Sequence, residues 1–155
     1  MTISFKDKVP FIEGVNLNDL TLNHQTPFYV YSQKKIVSTF MNFKEAINYE
    51  IFYAIKANSN QAIISLMKSL GAGADVVSIG ELKRALLAGI EPTKIIFEGV
   101  GKRKSDIEFA SKENIRQINV ESKEELLMIN SIGQTFGRQI NCGIRINPDI
   151  DSQSL

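Results

Sequence analysis

Lys56 closes a short apolar run, Ile51-Phe52-Tyr53-Ala54-Ile55, and a polar turn, Asn58-Ser59-Asn60, follows at once. A strand that ends on a charged group at a loop mouth is how parallel α/β folds present a reactive side chain. An amine placed there can condense with a carbonyl compound once it has lost its proton, and a neighbouring cation favours that loss. Arg145, in the apolar stretch Gly143–Asn147, is the cation that the pattern offers. Strand side chains alternate between two faces. Phe52, Ala54 and Lys56 therefore share one face, and Gly143, Arg145 and Asn147 share another. The apolar alternates Ile51, Tyr53, Ile55, Ile144 and Ile146 are left to meet helices. Lys56 and Arg145 are expected to point into one interior, with the small Ala54 and Gly143 leaving space beside them. The plainer readings are a surface lysine at a strand end and an arginine in a salt bridge, with Asp75 as its partner. Lys102 follows another apolar run, Ile95-Ile96-Phe97, and could face the same mouth. Lys102-Arg103-Lys104 reads more simply as a solvated loop.

The remaining inventory excludes other chemistries. Cys142 and His24 are the only cysteine and histidine, so no zinc site of usual composition can be built. Cys142 lies in an apolar stretch and is expected to be a buried structural thiol. A single cysteine fits a reducing, cytoplasmic compartment. His24 is expected in a solvated connection. There are 18 basic against 17 acidic residues, which gives no electrostatic claim on nucleic acid or on a membrane surface. The apolar runs fall short of the roughly 20 residues that span a bilayer, and the first seven residues do not read as a secretory signal.

The elements that must position these side chains are legible from capping and periodicity. Three Ser-x-x-Glu boxes, Ser78…Glu81, Ser105…Glu108 and Ser122…Glu125, each follow an apolar run and open an amphipathic segment. Phosphate binding at Ser78 is the alternative to capping there. Strands are expected over Phe28–Tyr31, Ile51–Lys56, Ala74–Val77, Ile95–Phe97, Gln117–Val120 and Asn141–Asn147. Helices are expected over Lys34–Asn48, Gln61–Leu70, Glu81–Ala88, Asp106–Lys112 and Lys123–Ile132, with Gly71, Gly89 and Gly133 at helix ends. Strict strand–helix alternation predicts parallel βαβ units, and no Gly-x-Gly-x-x-Gly follows a strand. The fold class expected is α/β, a partial (β/α)8 TIM barrel. Five strands from Ile51 onward are the first part of the eight that a barrel needs.

Several strings resemble one family. They are Glu13-Gly14-Val15, Thr26-Pro27-Phe28-Tyr29-Val30-Tyr31, the run Tyr53–Asn60, Gly71-Ala72-Gly73-Ala74-Asp75-Val76-Val77-Ser78-Ile79-Gly80-Glu81-Leu82 with Ala74 and Ile79 as mild departures, Gly99-Val100-Gly101-Lys102, Asn119-Val120-Glu121-Ser122 and Arg145-Ile146-Asn147-Pro148-Asp149-Ile150-Asp151. In this order they look like the N-terminal part of diaminopimelate decarboxylases, within the alanine-racemase-like, fold type III pyridoxal phosphate enzymes. The resemblance implies pyridoxal 5′-phosphate as cofactor and meso-diaminopimelate as small-molecule substrate, giving L-lysine and carbon dioxide. It implies Lys56 as the lysine that carries the cofactor, and Asp75 and Arg145 near it. It also implies a homodimer for the full-length enzyme, and residues 1–32 packed with a C-terminal β-domain while residues 33–155 begin the barrel. The family's glycine-rich phosphate loop, the acidic partner of the ring nitrogen, the substrate-binding residues and an interface cysteine, to which Cys142 does not correspond, would lie beyond position 155. The chain alone is therefore expected to be inactive. The readings left open are a related decarboxylase of arginine, ornithine or carboxynorspermidine, a non-catalytic pyridoxal phosphate carrier, and an inactive truncated remnant.

Overall fold

The computed structural model describes residues 3–148 and residue 150. Asp149 and Asp151, part of the last string above, lie outside the described residues. Contacts divide the chain into two compact units, residues 1–49 and 50–155. This boundary and the one expected after residue 32 differ by a single helix.

The first unit opens with three short antiparallel strands, β1 (Ser4–Lys6), β2 (Val9–Ile12) and β3 (Val15–Asn16), paired in that order. Both connections are two-residue loops, Asp7-Lys8 and Glu13-Gly14, and all four residues have positive φ. That backbone matches the right-handed twist of the flanking strands. Two helices follow, α1 (Leu17–Asn23), capped by Asn16, and α2 (Gln33–Ala46), capped by Ser32. Glu13 fastens the second turn to the start of α2. Its Oε1 accepts from the Ser32 hydroxyl and, at 2.9 Å, from the Lys34 amide. The Ser32 hydrogen bond holds the Glu13 carboxyl below the ordinary carboxylate range. No strand forms over Phe28–Tyr31. The segment follows the Thr26-Pro27 turn, but no neighbouring strand pairs with it. His24 caps α1 on its exposed side, its ring 5.8 Å from that of Phe28.

The second unit is a parallel sheet of five strands: β4 (Phe52–Ala54), β5 (Gly73–Val76), β6 (Ile95–Phe97), β7 (Gln117–Val120) and β8 (Cys142–Ile144). The spatial order is the chain order. Helices α3 (Gln61–Ser69), α4 (Ile79–Leu87), α5 (Lys104–Lys112) and α6 (Lys123–Phe136) connect them one by one. Unreversed order with one helix per crossover is the wall of a (β/α)8 barrel rather than a doubly wound sheet. Ala74, Val76, Ile95, Phe97, Ile118 and Val120 lie in one core cluster with Leu82, Ala85, Ile107, Ala110, Ile129 and Ile132 of the helices. The alternates Gly73, Asp75, Ile96, Gln117, Asn119 and Gly143 take the opposite face of the sheet.

Two caps form as expected, with a variation. Ser78 and Ser122 accept from the amides of Glu81 and Glu125, which settles Ser78 as a cap. The two glutamates reach one residue further back than a capping box requires, to the amides of Val77 and Glu121. The third box is displaced. Arg103 rather than Ser105 caps α5, and Asp106 accepts from the Arg103 amide and guanidinium. Gly133 does not end a helix. It lies inside α6, where an added Cβ would sit 2.9 Å from the Arg138 carbonyl oxygen, and α6 stops instead at the left-handed Gly137.

Candidate active site

Strand β4 gives way to a 3-10 turn, Ile55–Ala57. Ile55 is fully buried and Lys56 is exposed, so the turn is anchored by one residue while the next carries its amine outward. The hydroxyl of Tyr53 donates to the Asn58 carbonyl at 3.0 Å, the Asn60 side chain caps α3, and the Arg84 guanidinium donates to the Ser59 carbonyl at 3.1 Å. A loop next to the candidate lysine is thereby held at both ends.

Asp75 stands on the adjacent strand, in register with Ala54. Its Oδ1 is buried without a hydrogen-bond partner. Burial pushes its carboxyl above the ordinary range, Glu98 and Glu81 push in the same direction, and the Lys56 ammonium opposes them. Glu98 follows β6, and its Oε1 accepts from Asn119 Nδ2 at 2.7 Å. Gln117 donates in turn to Asn119 Oδ1. One polar face thus runs from Lys56 through Asp75 and Glu98 to Asn119.

Arg145 lies just beyond β8. Its guanidinium is 3.5 Å from Glu121 Oε1, a charge contact without hydrogen-bond geometry, and its Nε donates to Asn147 at 3.3 Å. The expected partner Asp75 is not the one it has. Nor are Lys56 and Arg145 neighbours in the sheet, since β5, β6 and β7 lie between their strands. The group acting on Asp75 from the β4 turn is an amine facing a carboxyl, rather than an amine facing a second cation. The space expected at Gly143 is also taken. A Cβ there would collide with the side chains of Gln117 and Asn119.

Lys102 reverses its sequence reading. Arg103 and Lys104 are solvated, with side chains 73% and 70% exposed, but that of Lys102 is 1% exposed. Its ammonium donates to the Gly99 carbonyl at 2.6 Å, the Asn119 carbonyl at 2.7 Å and Glu125 Oε1 at 2.8 Å. Glu98, Asn119 and Glu121 are not singled out as site residues by the sequence pattern. The two-residue alternation that selected Lys56 and Arg145 places them on the same polar face.

Cys142 is half-buried against the core, and burial raises its thiol pKa, so it is held as an inert thiol at neutral pH. A groove of about 680 Å³ runs between α6 and the approach to β8, lined by the apolar Leu126, Ile129 and Ile140 and by the polar Asn130, Gln134 and Arg138. It lies on the helix side of the sheet, away from Lys56. Among the described residues no three His, Cys, Asp or Glu side chains group as metal ligands, and no helix is long and apolar enough to cross a membrane.

Residues 33–155 match the family model described as "Pyridoxal-dependent decarboxylase, pyridoxal binding domain". A diaminopimelate decarboxylase of Helicobacter pylori is 51% identical over 142 residues, covering 90% of this chain and 35% of that protein. One of Aquifex aeolicus is 41% identical over 153 residues, covering 98% of this chain and 36% of that protein. The crystal structure of diaminopimelate decarboxylase from Helicobacter pylori complexed with L-lysine superposes with a TM-score of 0.86 at 50% identity, over 90% of this chain and 36% of that one. The chain thus spans about a third of the length of these relatives.

Proposed function

The chain belongs to the pyridoxal-dependent decarboxylases through their pyridoxal binding domain, and from that premise we propose that it is the N-terminal part of a diaminopimelate decarboxylase in which Lys56 carries pyridoxal phosphate. The observation that carries this reading is an exposed amine on a fixed strand-end turn, beside a carboxyl with one unpartnered buried oxygen. The residues present fit the cofactor to that extent. Lys56 offers the amine that its aldehyde requires, and Asp75 Oδ1 offers a free acceptor on the same face. When bound, pyridoxal phosphate supplies an electron sink for the carbon that loses its carboxylate. In the proposed reaction the bond from the D-centre of meso-diaminopimelate to its carboxylate breaks, carbon dioxide leaves, and a proton takes its place to give L-lysine. The crystallised relative with L-lysine bound supports that substrate class.

The chain's own residues have separable parts in this. Lys56 would hold the cofactor through its side-chain amine, the group that also could carry a proton there. Asp75, more readily protonated than an ordinary aspartate, sets the charge beside it. Arg145, in charge contact with Glu121, is the cation offered to an anionic group from the opposite edge of the sheet. Residues 1–32 would pack with a C-terminal β-domain, and the complete enzyme would be a cytoplasmic homodimer without nucleic-acid or membrane partners. Borohydride reduction in the presence of pyridoxal phosphate, followed by peptide mapping, tests the assignment. The adduct is expected on Lys56 in preference to the other exposed lysines. Trapping spread evenly over exposed lysines, or concentrated on another, overturns it.

A further inference from the structure

We propose that Lys102 is a positioning residue of the barrel mouth: its one buried ammonium fixes Asn119 and Glu121, and through them the carboxylate that faces Asp75 and the carboxylate that orients Arg145. The inference deepens the reading of Lys56 and rests on it for its functional meaning.

A buried ammonium persists only when each of its donors finds an acceptor. Lys102 places its three protons on three different elements: the loop after β6 at Gly99, strand β7 at Asn119 and helix α6 at Glu125. Two branches leave this point. In the first, Lys102 holds the Asn119 carbonyl while the side chain of Asn119 donates to Glu98 at 2.7 Å. Of the carboxylates acting on Asp75, Glu98 has the larger influence and Glu81, in the first turn of α4, the smaller, while Lys56 on the β4 turn opposes them. In the second, Glu125 takes Lys102 on one oxygen and the Glu121 amide, at 2.8 Å, on the other. The carboxylate of Glu121 stands 3.5 Å from Arg145. One cation therefore reaches towards both Asp75 on β5 and Arg145 just beyond β8, although β6 and β7 lie between those strands.

A simple brace does not need this chemistry, because a well-packed apolar pair of similar volume is commonly as stable as a buried ion pair. The same fact supplies the test. In the chain carrying Lys102→Met with Glu125→Leu, no charge is left buried and unpaired. Neither the Asn119 carbonyl nor the Glu121 amide keeps its anchor, however. The Asp75 carboxyl is titrated by NMR in this chain, in wild type, in Glu98→Gln and in the combination of all three substitutions. Glu98→Gln is expected to move the Asp75 midpoint to lower pH, since it removes a repelling charge. Lys102→Met with Glu125→Leu is expected to move it in the same direction while melting as wild type does. The combination is expected to move it no further than Glu98→Gln alone. A paired variant that melts like wild type and titrates Asp75 like wild type makes Lys102 a brace and overturns the proposal. Should the paired variant not fold, Asn119→Ala cuts the first branch with the ion pair intact. An unmoved Asp75 midpoint there overturns the proposal equally. Borohydride trapping away from Lys56 would sink the cofactor assignment and leave the Asp75 titration unaffected, so the two failures are distinguishable.

Discussion

Asp75 keeps a carboxyl where burial and two other carboxylates oppose its charge. Its folded pKa lies above the unfolded value of about 3.9. Below that value both states hold the proton and no penalty exists. As pH rises towards the raised folded value, the unfolded chain releases its proton first and stability falls; above it the full penalty remains. Asp75→Asn is therefore expected to raise the melting temperature at neutral pH and to leave it unchanged at pH 3. Equal gains at both would show that shape rather than charge is responsible. Lys102 presents the opposite case. Lys102→Met alone strands the Glu125 carboxylate and is expected to cost about 3–5 kcal/mol. Arg103→Ala removes an ion pair whose guanidinium is 73% exposed, and is expected to cost about 1 kcal/mol at most. Urea unfolding of the two variants side by side reads the difference.

Helices α4 and α6 begin in the same way. A serine takes the third amide of the helix, and a glutamate returns to the amide before the cap. Ser78→Ala and Ser122→Ala are each expected to cost about 1 kcal/mol. The two glycines near the end of α6 divide by cause. Gly137 has φ 62 and open space around a would-be Cβ, so Gly137→Ala is expected to cost about 1 kcal/mol of backbone strain. At Gly133 the obstacle is a backbone carbonyl oxygen, which cannot swing aside as a side chain can. Gly133→Val is expected to cost more, about 2–3 kcal/mol, through displacement of the turn at Arg138. Chemical denaturation that ranks them the other way would mean that the turn yields easily.

At the scale of the molecule, the parallel sheet is covered unevenly. On β5, β6 and β7 the helix-side residues Val76, Phe97 and Val120 are buried, but Ile144 on β8 is 72% exposed and Ile146 just beyond it 81%. Two large apolar side chains left exposed at an outer strand are an arrangement that favours association. The 155-residue chain is expected to self-associate with rising concentration in sedimentation, and Ile144→Lys with Ile146→Lys to weaken that association without lowering the melting temperature. Association unchanged by these substitutions would place the contact elsewhere. The chain spans 36% of its Aquifex aeolicus relative, and by itself it is expected to release no carbon dioxide from diaminopimelate at the ~1–10³ per second of ordinary enzymes. A sensitive gas-release assay checks this.

The sequence by itself determined the order of strands and helices in residues 50–155, two of the caps, and the place of Lys56 close after the first strand of the sheet, although that strand stops at Ala54 and Lys56 sits in the turn that follows. Each of these follows from neighbours a few residues apart: a two-residue alternation, a helical repeat, a serine three residues before a glutamate. The hairpin turn at Glu13-Gly14, between Ile12 and Val15, follows the same local rules. Tertiary structure decided the rest. Lys102 stands between Gly101 and Arg103 in what reads as a solvated basic run, and only acceptors 17 and 23 residues onward make it buried. The sequence offered Asp75 as a partner for Arg145, and the pairing of β7 beside β8 gave it Glu121 instead. Gly133 carries the sequence signature of a helix end, and the return of the chain at Arg138 gives it a different role. Burial and charge pairing belong to groups brought together through space, and no local period records which groups those will be.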